Sequence, residues 1–112
     1  FNDLYKWTAT VIINNGASSV SYYSKVDVTI KMSGGEPNSR KEVKAQITYP
    51  NGSVDTSANG WVNVYSGGDE WGFYWDDGVM QGSNFSGSKL TIKVVDKSGN
   101  VLGSSSITVK KY

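Results

Sequence analysis

The chain has 112 residues with 11 basic and 10 acidic side chains, a net charge of +1. That is the length of one domain, and a balance that favours neither nucleic acid nor an anionic membrane as partner. It contains no cysteine and no histidine, which excludes a disulfide framework and a thiolate metal site and removes the commonest general base. No apolar run approaches the roughly 20 residues of a membrane-spanning helix.

Hydrophobic residues recur with a period of two almost throughout, the mark of half-buried strands. Tyr5, Trp7, Ala9, Val11 and Ile13 alternate with polar residues up to the turn chemistry of Asn14-Asn15-Gly16. From Val20 to Met32 the even positions are mostly apolar, an alternation longer than usual for a strand, so a bend or bulge is expected near Ser24. Tyr22 falls on the core side of this run and Tyr23 outward. After the loop Ser33–Asn38, Val43, Ala45, Ile47 and Tyr49 alternate again. A helix over 39–47 is the competing reading, and β-branched content with the abrupt Pro50-Asn51-Gly52 turn favours the strand.

A short arm at Ser53–Thr56 precedes the strand Trp61–Tyr65, the loop Ser66–Asp69 and the strand Glu70–Trp75. Asp76-Asp77-Gly78 and a Gly/Ser-rich stretch over 82–88 follow. A hairpin ends the chain, with Leu90–Val95 turning through Asp96–Asn100 into a last strand that carries Ile107 and Val109. Seven to eight short strands with turn signals between them predict an all-β antiparallel β-sandwich, jelly-roll or Ig-like, over residues 1–112, with a closed barrel as the alternative. With no leader at Phe1, the chain reads as a single domain excised from a larger multimodular protein.

Candidate chemistry is sparse. A glycosidase needs two carboxylates flanking one bond. The pairs Asp69-Glu70 and Asp76-Asp77 are neighbours in sequence, which along a strand point to opposite faces. Without histidine no serine has an activating base, so no enzyme activity and no catalytic residue is expected. The same four acids are hard oxygen ligands that suit a structural Ca²⁺, but their spacing matches no EF-hand loop, and no metal or other cofactor is expected. Arg40, Lys41 and Lys44, interrupted by Glu42, read as a solvated strand edge.

The informative feature is aromatic. Trp61, Tyr65, Trp71, Phe73, Tyr74 and Trp75 fall within fifteen positions, interleaved with Asn63, Glu70, Asp76, Asp77 and Gln81. Flat rings suit the C–H faces of sugars, and neighbouring amides and acids suit their hydroxyls. Val62 and Val64 are the natural core residues of their strand, which turns Trp61, Asn63 and Tyr65 outward. In the next strand Trp71, Phe73 and Trp75 share one face, as a core stripe or a ligand platform, while Tyr74 and Asp76 share the other and would extend the Trp61 row. Trp7 reads as core. Gly72 leaves space for a ligand or a neighbouring backbone.

Size, strand spacing, Cys-free composition and the interleaving of Trp61–Gln81 together resemble the β-sandwich carbohydrate-binding modules of bacterial polysaccharide-degrading enzymes. The resemblance implies a secreted, non-catalytic, monomeric module that attaches a larger enzyme to plant or microbial polysaccharide of β-glucan, cellulose or hemicellulose type. The alternation makes Trp61, Asn63, Tyr65, Trp71, Tyr74, Trp75, Asp76, Asp77 and Gln81 its candidate contacts. Two readings from other classes stand beside it: an Ig-like or fibronectin-like spacer with the aromatics in the core, and a protein-binding adhesion domain. Asn51-Gly52-Ser53 and Asn84-Phe85-Ser86 match the glycosylation sequon.

Overall fold

A computed structural model describes residues 5–21, 25–55, 60–75 and 89–110. Their alternating sequence forms β1 (Thr8–Ile13), β2 (Ser19–Ser21), β3 (Val26–Ser33), β4 (Arg40–Thr48), β5 (Val54–Asp55), β6 (Val62–Tyr65), β7 (Asp69–Trp75), β8 (Lys89–Asp96) and β9 (Val101–Lys110). A 3-10 turn at Asn14–Gly16 follows β1. The protein is all-β and built on two sheets. One is three-stranded, in the order β1-β3-β7; the other runs β2-β9-β8-β4-β5, with β6 also pairing β4. Of residues 39–47, where a helix competed, all but Ser39 lie in β4: burial there alternates strictly from Val43 to Thr48, a period no helix reproduces.

Two expectations are corrected. The described residues hold nine strands, β5 being a two-residue bridge, against the seven to eight expected. The sheets are also not purely antiparallel, because β2 pairs β9 in parallel. Both follow from the run 20–32. It is two strands rather than one bent strand: β2 joins the larger sheet beside β9, and β3 joins the smaller between β1 and β7. The change of sheet falls between Ser21 and Val26; Tyr22, Tyr23 and Ser24, and with them the expected bend, lie outside the described residues.

The apolar sides of both sheets share one core. Val11, Val28 and Ile30 come from the smaller sheet and Val43, Ile47, Leu90, Ile92 and Ile107 from the larger. Burying each large aliphatic side chain contributes about 1.5–3 kcal/mol. Trp7 is half-buried and packs against this core; its ring lies where a Cβ on Gly35 would stand. The first strand starts at Thr8 rather than Tyr5, which is exposed. Gly72 and Gly103 mark close approaches between strands. A Cβ at Gly72 would overlap the Val28 carbonyl oxygen of β3, and one at Gly103 would overlap the Ala9 carbonyl oxygen of β1, in the other sheet.

The β8–β9 turn is organised by Asp96, which lies at a core-facing position and is buried. Its Oδ1 accepts from the Ser98 and Asn100 amides, each at 2.9 Å. Its Oδ2 accepts from Asn100 Nδ2 at 3.2 Å and Lys41 Nζ at 3.4 Å. Burial alone raises such a carboxyl; the hydrogen bonds from Asn100, Ser98 and Lys41 outweigh it and hold Asp96 below its ordinary value of 3.8. No helix among the described residues is long and apolar enough to cross a membrane.

Candidate functional site

The β6 edge carries the candidate site. Valine side chains turn inward, with Val64 buried and Val62 half-buried, so Trp61, Asn63 and Tyr65 face solvent. Trp61 is 41% exposed and Tyr65 56%. β6 pairs with the first half of β4, which sets Asn63 opposite Glu42 and Tyr65 opposite Arg40. Strict alternation on β4 points Arg40, Glu42, Lys44, Gln46 and Thr48 outward. The aromatic row therefore borders a polar and cationic strand.

Trp61 is not a bare platform. Lys44 Nζ lies 4.8 Å and Lys97 Nζ 4.9 Å from its ring centroid, and Lys97 also pairs with Glu42 at 3.6 Å. Cation–π contacts at exposed sites contribute about 0.5–1 kcal/mol each, so a neutral sugar stacking here displaces a contact already made. Tyr65 borders a shallow depression of about 450 Å³ with Asn38, Ser39, Arg40 and Ser66. Its floor is fixed by two bonds: Ser66 N donates to Ser39 O at 2.9 Å, and Ser39 N donates to Ser66 Oγ at 3.2 Å.

The remaining sequence candidates separate from this row. Trp71 and Phe73 pair with buried Ile30 and Val28 on the core side of the smaller sheet, and both are half-buried against the core. Their centroids lie 6.3 Å apart at 37°. Trp71 Nε1 is buried without a hydrogen-bond partner. Tyr74 is exposed, at 57%, but on the outward side of the smaller sheet, so it does not extend the Trp61 row. Lys25 Nζ lies 4.5 Å from its ring and 3.8 Å from Asp27. Trp75 ends β7 with its side chain outside what is described, and Asp76, Asp77 and Gln81 lie outside the described residues. Of the four acids weighed as Ca²⁺ ligands, Asp69 organises the β6–β7 turn, accepting from the Tyr65 amide at 3.1 Å and the Glu70 amide at 2.9 Å. No group of three His, Cys, Asp or Glu able to hold a metal occurs among the described residues.

One set of residues escaped the sequence reading. Tyr5, Trp7, Lys41, Asp96 and Asn100 line a second open depression, of about 530 Å³, at one end of the β4–β8–β9 ladder. Arg40 and Lys44, read from the sequence as part of a solvated strand edge, do face outward, opposite in parity to Val43, Ala45 and Ile47, but β4 is no edge strand, since it pairs with both β6 and β8.

No family model matches the chain, and no curated protein matches it in sequence. Solved structures do match in fold. The alkylpurine DNA glycosylase AlkC of Pseudomonas fluorescens, bound to DNA containing an abasic-site analog, superposes with a TM-score of 0.66 at 11% identity. That match covers 94% of this chain and 30% of the glycosylase. The sporulation control protein Spo0M of Bacillus subtilis superposes with a TM-score of 0.53 at 10% identity, covering 94% of this chain and 49% of that one. The chain thus spans under half the length of either neighbour, and at these identities the likeness is one of fold.

Proposed function

We propose that this chain is a non-catalytic glycan-binding module of β-sandwich, Ig-like architecture, working as one part of a longer secreted protein. The observation that carries the reading is the outward row Trp61, Asn63 and Tyr65 along β6, with Arg40, Lys44 and Glu42 beside it on β4. Rings of this size on an exposed edge have no packing role in the core, and isolated patches of this kind mark contact surfaces. Asn63 and the β4 side chains supply donors and acceptors for hydroxyls. A chain without histidine or cysteine suits attachment better than catalysis. The sandwich reading rests on the single core shared by both sheets. The modular reading rests on neighbours in which this fold is 30% and 49% of a longer chain.

A spacer domain is the competing reading, and the two lysines over Trp61 favour it, since they give that ring a partner within the chain. Affinity electrophoresis through soluble polysaccharides, followed by calorimetry on any that retard the protein, separates the two. The glycan reading expects retardation by at least one polymer. Trp61→Ala and Tyr65→Ala, confirmed folded by circular dichroism, should each weaken binding about tenfold or more, as anchor rings do. Unretarded migration through every polymer, or unchanged affinity in both variants, refutes it.

A further inference from the structure

The basic residues look scattered in the sequence, but the strand register gathers them. Outward positions of the larger sheet are fixed by strict burial alternation on β4 and β8 and by Ile107 and Val109 on β9. Those positions carry Arg40, Lys44, Lys89, Lys93 and Lys110, and Lys97 joins them beside Trp61. These are six of the chain's 11 basic residues. Among the outward residues of this sheet whose side chains are described, Glu42 is the one acid, and it is paired with Lys97. No other cation of the six has a carboxylate partner among the described residues. The net charge of +1 therefore conceals a strongly positive face.

The cations are also ordered. Register pairs Lys44 with Val95, Gln46 with Lys93, and Lys89 with Thr108. They cross the sheet diagonally from Arg40 at the β6 end, through Lys44 and Lys93, to Lys89 and Lys110. At about 3.3 Å per residue the track is roughly 30–40 Å long. Between them lie uncharged hydrogen-bonding side chains such as Gln46, Thr91, Ser104 and Ser106. A line of separated cations fits an extended polyanion better than a compact ligand.

We propose that this face binds an anionic polysaccharide, a sugar polymer bearing carboxylate or sulfate groups, with Trp61 and Tyr65 at one end of the track. This rests on the glycan-binding reading and names the ligand class of that site. Trp61 supplies the reason for an acid. A neutral sugar that stacks on the ring displaces Lys44 or Lys97 and offers the ammonium only an uncharged hydroxyl as acceptor. An acidic sugar takes the displaced ammonium on its own carboxylate or sulfate, exchanging a cation–π contact for a charge-assisted hydrogen bond. A single-stranded nucleic acid would meet the cations equally well, but it draws on successive open rings for base stacking. Among the described residues the track has none beyond Trp61 and Tyr65.

Calorimetry at low and moderate salt tests this with four probes: polygalacturonate, dextran sulfate, neutral β-glucan and oligothymidylate. The proteins are wild type, Trp61→Ala, Lys44→Gln/Lys97→Gln, and Lys25→Gln, which lies beside the opposite sheet. The proposal expects one or both acidic polymers to bind better than β-glucan, the two arms telling carboxylate from sulfate, with affinity falling as salt rises. The double variant should lose about tenfold or more of that affinity, and Lys25→Gln should lose none. Binding of β-glucan that is abolished by Trp61→Ala yet untouched by the double variant would overturn the acidic class while leaving the glycan reading intact. Failure of all three polysaccharides to bind would sink both. Oligothymidylate binding as tightly as the acidic polymers would overturn the proposal in favour of nucleic acid.

Discussion

Gly72 stands where β7 presses on β3, and replacing it with alanine puts a number on that contact. The added Cβ would overlap the Val28 carbonyl oxygen and stand 3.3 Å from its carbon and 3.5 Å from Thr29 Cα. None of these is a flexible side-chain end, so the β3–β7 ladder must open by about an ångström to restore van der Waals distance. Overpacking of this kind costs about 1–3 kcal/mol, and a lengthened ladder hydrogen bond adds about 1 kcal/mol. The lower entropy of an unfolded alanine chain offsets about 0.4–1 kcal/mol. The net loss is about 2–3 kcal/mol, which lowers Tm by about 10–15 °C for a domain of this size. Gly67→Ala is the reference: its φ is +87° but nothing lies near its Cβ, so the left-handed backbone alone costs about 1–2 kcal/mol. Urea titration and thermal melts by circular dichroism measure both. A Gly72→Ala protein melting within about 2 °C of wild type, or more stable than Gly67→Ala, would show that the strands are not in such contact.

Asp96→Ala leaves the Ser98, Asn100 and Lys41 donors without their acceptor and should cost about 2–3 kcal/mol by urea titration, less than the full bond count because the turn is solvated. The carboxylate of Asp96 titrates below 3.8 in the folded protein, so its stabilisation is complete above the unfolded value and is lost as pH falls through the folded one. Tm of the wild type should therefore drop more steeply below pH 3.8 than that of Asp96→Asn; parallel curves would contradict the assignment. Asn14 has φ +48° and its Oδ1 accepts from the Asp27 amide at 2.7 Å. Asn14→Ala should cost about 1.5–3 kcal/mol, read by the same titration, and a neutral result would mean that neither the conformation nor the bond is held.

The alternation of Val26–Ser33, Arg40–Thr48 and Lys89–Asp96 was enough to place those strands and their buried sides, because a period of two has one structural meaning once one face is apolar. Trp61, Asn63 and Tyr65 came from the same argument, through Val62 and Val64. The run 20–32 was misread as one strand because alternation survives a change of sheet: Val20 and Val26 are both buried, one in each sheet. The parallel pairing of β2 with β9 joins segments nearly ninety residues apart, and no local pattern announces it. The splitting of Tyr74 from the Trp61 row has the same origin, since β6 and β7 adjoin in sequence but belong to different sheets. The cationic track was invisible for a further reason. Its members lie on three strands and a turn, and only the register of β4, β8 and β9 brings Lys44, Lys93 and Lys110 to one face.

The central claim is that the outward face of the larger sheet, and not the outward face of the smaller one, meets the ligand. Amide chemical-shift mapping with short acidic oligosaccharides (oligogalacturonate) tests it residue by residue. The account predicts perturbations at Trp61, Asn63 and Tyr65, on outward positions of β4 and β8 from Arg40 to Lys93, and at the Trp61 indole, with Thr29, Lys31 and Tyr74 unmoved. Shifts centred on Tyr74 and Lys25, or around Tyr5, Trp7 and Asn100, would contradict it.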